Sequence, residues 1–330
     1  MNKVILLSNR PVGLPTLNDF EFKDIEMPAV NDGEVLLKTV YVSVDPYLRG
    51  RMSDAKSYVA PFDLNKPIQS AIIAEVTESK NPDFAVGDHV TAGLDWKLFQ
   101  TSSGKGLTKL DDSIPLTAYL GILGMTGLTA YLGIQEILKP KSGETLVVSG
   151  AAGAVGSAVG QIAKILGANV IGIAGSDAKI ATLKSKFGFD DALNYKTNSD
   201  MRKALEAFAP NGVDMYFDNV GGDISDAVIM NMNKYGRIAI CGTISSYNDS
   251  EVAVGPRLQP YLLKNSMLMQ GFIVSNYADK FQAAMKDLIT WFKEDKLQYT
   301  ETIVEGFDQI PQAFIDLFEG KNEGKMIVKI

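Results

Sequence analysis

A glycine-rich turn in the middle of the chain limits the possible folds more than any other feature of the sequence. It occupies residues 150–156 (GAAGAVG), directly after a short apolar run at 145–149 and at the start of a helical pattern that continues to residue 166. Glycines at these places let the backbone approach an anionic ligand, whose charge interacts favourably with the N–H groups and the positive dipole end of the helix. A strand, such a turn and a helix in this order are typical of a dinucleotide-binding domain.

The turn departs from the usual dinucleotide fingerprint at one position. Its pattern is A-x-G-x-x-G from Ala151 to Gly156, with alanine in place of the first glycine. A turn that only packs a strand closely against a helix would contain the same glycines. The surrounding pattern of strands and helices therefore has to support the interpretation as a nucleotide site.

Apolar runs alternate with helical patterns from about residue 125 onward. Predicted strands lie at 145–149, 169–174, 213–218, 237–241 and 267–274, and predicted helices lie at 155–166, 178–187 and 281–292. Continuous apolar strands separated by helices indicate a parallel sheet that is covered on both faces. We therefore predict an α/β fold in which residues 123–300 form a doubly wound Rossmann nucleotide-binding domain.

The first part of the chain has a different pattern. Short β-type runs at 35–44, 68–76 and 89–92 are separated by Gly, Pro, Asn and Asp, which indicates a mainly β domain. Similar runs return at 301–304 and 326–330. We predict that residues 1–122 form this domain, that residues 301–330 return to it, and that the nucleotide-binding domain is inserted between them. Two domains are also expected because 330 residues exceed what one core usually supports.

The composition excludes several classes of site and partner. The 32 Lys and Arg residues against 39 Asp and Glu give a net charge of −7, which disfavours binding to nucleic acid. The one cysteine, Cys241, cannot form an intramolecular disulfide, and together with the one histidine, His89, it cannot build a Cys/His zinc site. His89 lies in a turn that enters a strand, so we interpret it as a structural or surface residue. We expect neither a bound metal nor a nucleic-acid partner.

No stretch of the sequence is suited to a membrane. The longest mostly apolar stretch, residues 121–134, contains four glycines and is shorter than a membrane span. The apolar run at residues 4–7 is too short for the core of a signal peptide. We expect a soluble, cytoplasmic protein with no membrane partner.

The end of the second predicted strand favours NADPH over NADH. An NAD site has a carboxylate at this point, about 20 residues after the turn, that binds the ribose hydroxyls. Here the strand ends in Ala174, Gly175 and Ser176, which are small and neutral. The next residue, Asp177, is predicted to cap a helix together with Ser176. Lys179, on the first turn of that helix, is placed to bind a 2′-phosphate.

Motifs spread over nearly the whole chain resemble those of one enzyme family. They lie at 41–52 (YVSVDPYLRGRM), 8–11 (SNRP), 124–131 (GMTGLTAY), 194–197 (NYKT), 218–222 (DNVGG), 241–247 (CGTISSY) and 320–325 (GKNEGK). With the order of the domains, they resemble the zinc-free medium-chain dehydrogenases/reductases, in the branch of the prostaglandin/leukotriene reductases and the double-bond (alkenal/one) reductases. Residues 42–75, the region in which zinc-dependent relatives carry cysteine and histidine ligands, contain neither residue type.

The resemblance implies a fold, a reaction and an assembly. The mainly β domain would be GroES-like and catalytic. The reaction would be the NADPH-dependent reduction of the C=C bond of α,β-unsaturated ketones and aldehydes, by hydride transfer to the β-carbon without a metal. Two alternatives stay open, an NADPH:quinone oxidoreductase and a non-catalytic NADPH-binding protein. The resemblance further implies a homodimer and a small-molecule enone or enal substrate, which the sequence does not identify.

The resemblance also implies which residues bind the cofactor. They are Gly153, Ala154, Val155 and Gly156 at the pyrophosphate, Lys179 and Tyr195 at the 2′-phosphate, and Asn219, Cys241, Gly242, Thr243, Ile244, Ser245, Ser246, Tyr247, Phe272, Ile273, Val274 and Asn322 along the nicotinamide half. Each has a structural alternative. Asn219 closes a turn in that alternative, and Cys241 packs in the core at the end of a strand.

Without a metal, hydrogen-bond donors have to stabilise the enolate oxygen that forms after hydride transfer. The nicotinamide-ribose 2′-hydroxyl is one candidate and a tyrosine hydroxyl is another, and either this tyrosine or solvent would protonate the α-carbon. Tyr58 and Tyr247 are the first candidates for the catalytic tyrosine. Tyr261 follows them, because many relatives have a tyrosine where this chain has Lys264. We expect Tyr47, Tyr58 and Met125 to line the substrate pocket.

Overall fold

The computed structural model describes all 330 residues, which divide into two compact units. The first unit contains Met1–Leu120, Glu301–Asn322 and Met326–Ile330, and the second contains Gly121–Thr300 and Glu323–Lys325. The assignment of Glu323–Lys325 to the second unit is a feature that the sequence analysis did not predict.

The chain forms 15 strands and nine α-helices. The strands are β1 (Asn2–Leu7), β2 (Phe20–Ile25), β3 (Val35–Ser43), β4 (Gln69–Ser79), β5 (His89–Asp95), β6 (Phe99–Ser102), β7 (Thr108–Lys109), β8 (Thr145–Ser149), β9 (Asn169–Ala174), β10 (Asp191–Asn194), β11 (Val213–Asp218), β12 (Met232–Ile240), β13 (Leu268–Gly271), β14 (Glu301–Glu305) and β15 (Lys325–Lys329). The helices are α1 (Leu48–Arg51), α2 (Met125–Leu132), α3 (Ala154–Ile165), α4 (Asp177–Ser185), α5 (Met201–Phe208), α6 (Gly222–Met230), α7 (Gln259–Lys264), α8 (Phe281–Lys293) and α9 (Ile310–Asp316). None of the helices combines the length and the apolar content that a membrane span needs.

The first unit is built on antiparallel strand pairs. Its main sheet has seven strands, in the order β14-β15-β3-β4-β5-β7 with β6 also paired to β3, and β1 and β2 form a separate pair. In β4 the alternate residues Ser70, Ile72, Ala74 and Val76 are buried, as expected for a strand with one face on a core, and β3 is buried at most positions. That core includes Leu37, Ile72, Trp96 and Phe314. The predicted mainly β domain is confirmed.

The second unit is a doubly wound domain. Its six parallel strands have the order β10-β9-β8-β11-β12-β13. Strands β8, β9 and β11 are almost entirely buried, which explains why most of their residues are apolar. The chain moves from β8 to β9 in one direction and later continues with β11 on the opposite side of β8. Ligands of such sheets bind at this switch point, at the carboxyl ends of the strands.

The sequence predicted the buried strands better than the exposed elements. Strands β9 and β11 have the predicted bounds, because each is a short apolar run between polar residues. The strand predicted at 267–274 is shorter in the structure, where β13 ends at Gly271 and a 3₁₀ helix follows at Val274–Lys280. Helices α5 and α6 and the short strand β10 were not predicted.

Candidate active site

The glycine-rich turn connects β8 to α3 and brings the helix close to the strand end. Gly153 is the N-cap of α3, and no side chain caps this end of the helix. The first N–H groups of a helix have no acceptor within the helix, so they are available to an anion. A methyl group on Gly156 would lie 2.3 Å from the carbonyl oxygen of Gly150, so a larger residue would push the helix away from the turn. This geometry fits a pyrophosphate.

The segment Glu323–Lys325 is bonded to the same turn. The N–H of Gly324 donates to the carbonyl oxygen of Ala152 at 2.8 Å, and Gly324 forms an isolated parallel bridge with Gly153. The N–H of Lys325 donates to the carbonyl oxygen of Thr300 at 2.9 Å. The turn is therefore supported on one side by a segment more than 150 residues away in the sequence.

The end of β9 has no carboxylate placed for ribose hydroxyls. Ser176, and not Asp177, is the N-cap of α4, and its Oγ accepts from the N–H of Lys179 at 3.3 Å. The carboxylate of Asp177 accepts instead from the side-chain amide of Asn194 at 2.7 Å. The shared capping role expected for Asp177 is therefore corrected, because Asp177 is the first residue of α4.

Lys179, Tyr195 and Lys196 come together at this end of the sheet. The ring of Tyr195 is close to Gly175, since a methyl group there would lie 2.9 Å from the tyrosine oxygen. Burial lowers the pKa of Lys179, the charge of Lys196 lowers it further, and the carboxylate of Glu323 opposes both effects. Two neighbouring cations favour a dianion such as a 2′-phosphate. Lys196 lies within the recognised stretch 194–197, but the sequence analysis did not assign it to the site.

Asn219 and the loop after β12 meet at the carboxyl ends of the central strands. The side-chain amide of Asn219 donates to the carbonyl oxygen of Ser149 at 2.8 Å. The Oγ of Ser245 donates to the carbonyl oxygen of Val220 at 2.6 Å, which joins the loop to the turn after β11. The structure therefore brings these predicted residues together at the switch point of the sheet.

The loop that follows β12 folds back on itself. Its residues 241–247 contain a 3₁₀ helix at Ile244–Ser246. The hydroxyl of Tyr247 accepts from the N–H of Thr243 at 3.3 Å, and a methyl group on Gly242 would lie 2.9 Å from the same oxygen. Burial, with a smaller contribution from Asp218, raises the pKa of Cys241 to about 12. The thiol is therefore neutral at physiological pH.

Phe272 and Asn322 differ from the other predicted cofactor residues. The ring of Phe272 is buried and packs edge-on against Phe217, with ring centres 6.1 Å apart. Its side chain therefore packs in the core, whereas Ile273 and Val274 are half-buried. Asn322 is half-buried and belongs to the first unit, and in the sequence it directly precedes the segment Glu323–Lys325 that is bonded to the glycine-rich turn.

Tyr47 and Tyr58 lie close together in the first unit, on either side of Arg51. Burial raises the pKa of Tyr47, and the nearby Asp45 adds to this, so its hydroxyl stays protonated. The guanidinium of Arg51 stacks 3.9 Å from the ring centre of Phe62 and donates to the carbonyl oxygen of Ala60 at 3.1 Å. Arg51 thus holds the loop that carries Tyr58, whose side chain is 63% exposed. The sequence analysis did not assign this role to Arg51.

Two of the remaining candidates, Tyr261 and Met125, belong to the second unit. Tyr261 lies on α7, and its ring packs against the hydrophobic core of that unit. Met125 is the first residue of α2 and is 38% exposed. The Nδ1 of His89 forms a hydrogen bond with the carboxyl group of Asp112 at 2.9 Å, on the surface of the first unit. No group of three or more His, Cys, Asp or Glu side chains is placed to hold a metal ion.

The chain is similar to known oxidoreductases over its whole length. Residues 3–110 match the family described as the N-terminal domain of oxidoreductase, and residues 154–293 match the family described as zinc-binding dehydrogenase. The chain is 56% identical to a putative NADP-dependent oxidoreductase, YfmJ, of Bacillus subtilis (strain 168), over 99% of this chain and 97% of that protein. It is 42% identical to the NADP(+)-dependent 2-alkenal reductase of Nicotiana tabacum, over 100% of this chain and 97% of that protein.

A solved structure gives the same result for the fold. CurA from Vibrio vulnificus in complex with NADPH matches with a TM-score of 0.94 and 41% identity, over 99% of this chain and 98% of that chain. Fold and sequence together define an oxidoreductase built on a dinucleotide-binding domain. The chain belongs to the zinc-free double-bond reductase branch of the medium-chain dehydrogenase/reductase family, as the motif at residues 41–52 indicated.

Proposed function

We propose that the protein uses NADPH to reduce the C=C bond of α,β-unsaturated ketones and aldehydes. The observation that carries this proposal is the similarity, over the whole chain, to a family that includes a 2-alkenal reductase. The absence of a carboxylate at the end of β9 and the presence there of Lys179 and Lys196 support NADPH over NADH.

The residues of the second unit fit this cofactor. The backbone of Gly153, Ala154, Val155 and Gly156 would bind the pyrophosphate at the start of α3. Lys179 and Lys196, with the hydroxyl of Tyr195, would bind the 2′-phosphate. The nicotinamide half would lie along Asn219 and the loop at residues 241–247, with the backbone at 272–274 and Asn322 completing its site.

The chemistry depends on stabilising negative charge on the substrate oxygen. Bound NADPH supplies the hydride that adds to the β-carbon. A tyrosine hydroxyl would donate a hydrogen bond to the carbonyl oxygen as it becomes an enolate oxygen, which is the step that the protein accelerates. A proton from this tyrosine or from water would then reach the α-carbon. Tyr47 would shape the pocket beside Tyr58, and Met125 would contact the substrate.

Three observations support a ranking of the three candidate tyrosines. Tyr58 is exposed, so its proton can exchange with water, and it lies on the loop that Arg51 holds. Tyr247 accepts from a backbone N–H, which strengthens its own O–H as a donor because linked hydrogen bonds polarise one another. Tyr261 packs against the core and ranks third. We propose Tyr58 as the proton or hydrogen-bond donor and Tyr247 as the residue that holds the nicotinamide-side loop.

The test is a comparison of cofactors and substrates. Oxidation of NADPH, with NADH in parallel, is followed with a medium-chain 2-alkenal, an alkenone and a simple quinone, and the product is identified by mass and NMR. We expect the saturated carbonyl compound, formed preferentially with NADPH. Oxidation with the quinone alone would instead indicate a quinone oxidoreductase. Binding of NADPH with no turnover of any substrate would indicate a non-catalytic protein.

We also propose that the protein is a cytoplasmic homodimer formed through the second unit. The edge strand β13 supports this, because its Leu268 is 52% exposed at the end of a parallel sheet. An open sheet edge with apolar side chains is suited to pairing with a second copy. The cytoplasmic assignment is supported by the single cysteine, since the chain cannot use an intramolecular disulfide.

A further inference from the structure

A buried carboxylate with four neutral donors lies at the carboxyl end of β11. Only 1% of Asp218 is exposed. Its Oδ1 accepts from the Oγ of Ser149 at 3.0 Å and from the hydroxyl of Tyr216 at 2.8 Å. The same oxygen accepts from the N–H groups of Val220 at 3.0 Å and of Gly221 at 2.9 Å. The proposed reaction gives this carboxylate no chemical role.

These hydrogen bonds connect three strand ends. Ser149 ends β8 and Asp218 ends β11, so the bond between their side chains spans the switch point of the sheet. The backbone carbonyl of Asp218 accepts from the N–H groups of Cys241 at 2.8 Å and of Gly242 at 3.1 Å, just after β12. Asp218 thus links the turn after β11 and the start of the loop after β12 to Ser149, the last residue of β8.

Asn219 is held by the same network. Its N–H donates to the Oγ of Ser149 at 3.0 Å, and its side-chain amide donates to the carbonyl oxygen of Ser149 at 2.8 Å. The hydroxyl of Ser149 therefore accepts from Asn219 while it donates to Asp218. The hydroxyl of Ser149 thus links the side chain of Asp218 to the backbone of Asn219, in addition to the peptide bond between these two residues.

Stability alone does not account for a carboxylate at this position. Removing a charge from water costs free energy, and neutral hydrogen-bond donors do no more than offset this cost. Apolar residues of similar volume often fill such a site with equal or greater stability. Burial, and next the nearby charge of Asp218, raises the pKa of Tyr216, so the tyrosine stays protonated and keeps donating. The network therefore favours one defined arrangement of the loops around it.

We propose that Asp218, together with Ser149 and Tyr216, is a positioning group for the nicotinamide half of the cofactor. This inference rests on the proposed function, because it takes the loops at 219–222 and 241–247 as the nicotinamide site. None of the hydrogen bonds of this network involves Lys179 or residues 150–156 of the glycine-rich turn. We therefore expect it to affect the nicotinamide half of the cofactor more than the adenosine half.

The test measures the two halves of the cofactor separately. Dissociation constants of NADPH and of adenosine 2′,5′-bisphosphate are determined for the wild type and for Tyr216→Phe, Ser149→Ala and Asp218→Asn. Tyr216→Phe keeps the shape of the core and removes one donor, so it reports even if Asp218→Asn does not fold. Tyr131→Phe is the matched control, because the hydroxyl of Tyr131 also donates to a carboxylate of the second unit, that of Asp287, at 2.6 Å.

We expect Tyr216→Phe and Ser149→Ala to weaken NADPH binding about three- to tenfold. This lies within the range of effects that residues without ligand contact have on binding. Asp218→Asn should weaken it more, and the bisphosphate should bind all variants as it binds the wild type. Equal loss of both ligands, unchanged NADPH binding in the variants, or the same loss in Tyr131→Phe would overturn the proposal. A wild type that binds NADPH but reduces no enone or enal would refute the proposed function, while the dissociation constants would still decide the role of Asp218.

Discussion

At the scale of single residues, we expect the cofactor preference to depend on two lysines, Lys179 on α4 and Lys196 just after β10. Lys179→Met should raise the dissociation constant of NADPH roughly 10- to 100-fold, since a hydrogen bond to a charged group contributes about 1.5–3 kcal/mol. NADH, which has no 2′-phosphate, should bind nearly as before. Because burial lowers the pKa of Lys179, the affinity for NADPH should also decline at a lower alkaline pH than for an exposed lysine.

Fluorescence titration with both cofactors checks this prediction, and Lys196→Met should show the same selectivity. Lys184 gives a matched control, because it lies on the same helix but pairs with Asp191 at 2.9 Å. If Lys184→Met lost as much NADPH affinity as Lys179→Met, the effect would come from net charge and not from a phosphate site.

The hydroxyls of the three candidate tyrosines should have different roles. Tyr58→Phe should lower kcat about 100-fold with little change in NADPH affinity, as expected when one donor to a developing oxyanion is removed. Tyr247→Phe should weaken NADPH binding as well, because its hydroxyl accepts from the loop backbone at Thr243. Tyr261→Phe should resemble the wild type. Steady-state kinetics with a 2-alkenal provide the measurement, and an unchanged kcat in Tyr58→Phe would remove this residue from the mechanism.

Cys241 should be unusually unreactive in the folded protein. Its pKa is raised from 9.0 to about 12, so the thiolate fraction near neutral pH is lower by about a thousandfold. Alkylation by iodoacetamide at about pH 8 should be at least about 100-fold slower than in the chain unfolded by guanidinium chloride. The chain has no other cysteine, so mass spectrometry reports this one site. Equal rates in both states would show that burial does not suppress the thiolate.

At the scale of elements, the glycine-rich turn determines how closely α3 approaches β8. Gly156→Ala places a methyl group 2.3 Å from the carbonyl oxygen of Gly150, so the helix has to move. We expect a loss of about 1–3 kcal/mol in the free energy of unfolding, with weaker NADPH binding. Gly93→Ala in β5 is the control, since a methyl group there meets no atom within 4 Å. Denaturant titration measures the stability of both variants. Equal unfolding midpoints for Gly156→Ala and Gly93→Ala would contradict the close approach of α3 to β8.

At the scale of the whole molecule, the proposed homodimer gives a defined mass. Light scattering should report about twice the chain mass of 35.7 kDa. Leu268→Glu places a charge on the exposed edge strand β13 and should yield monomers, because burying an unpaired charge in an interface is costly. Leu17→Glu, at a residue of the first unit that is 50% exposed, should leave the mass unchanged. A monomeric wild type would contradict the assembly.

Local sequence determined several buried strands of the second unit and the family of the protein. Strands β9 and β11 had the predicted bounds because burial on both faces favours apolar residues at most positions of a strand. The glycine-rich turn was predictable because its glycines allow a close approach between residues that are near each other in the sequence, Gly150 and Gly156. The stretch at residues 41–52 predicted the branch of the family because the residues that form this motif are consecutive in the sequence.

Contacts between distant residues were decided only by the tertiary structure. Ser149 and Asp218 are 69 positions apart, and their hydrogen bond exists because β8 and β11 are neighbours in the sheet. The proximity of Lys179 to Lys196 depends on the tertiary structure in the same way. So does the hydrogen bond from the N–H of Gly324 to the carbonyl oxygen of Ala152. Periodicity and turn chemistry act over a few residues, whereas strand order is set by packing of the whole unit. The sequence by itself therefore determined the class of reaction and the cofactor, and the tertiary structure alone showed how the site is held in place.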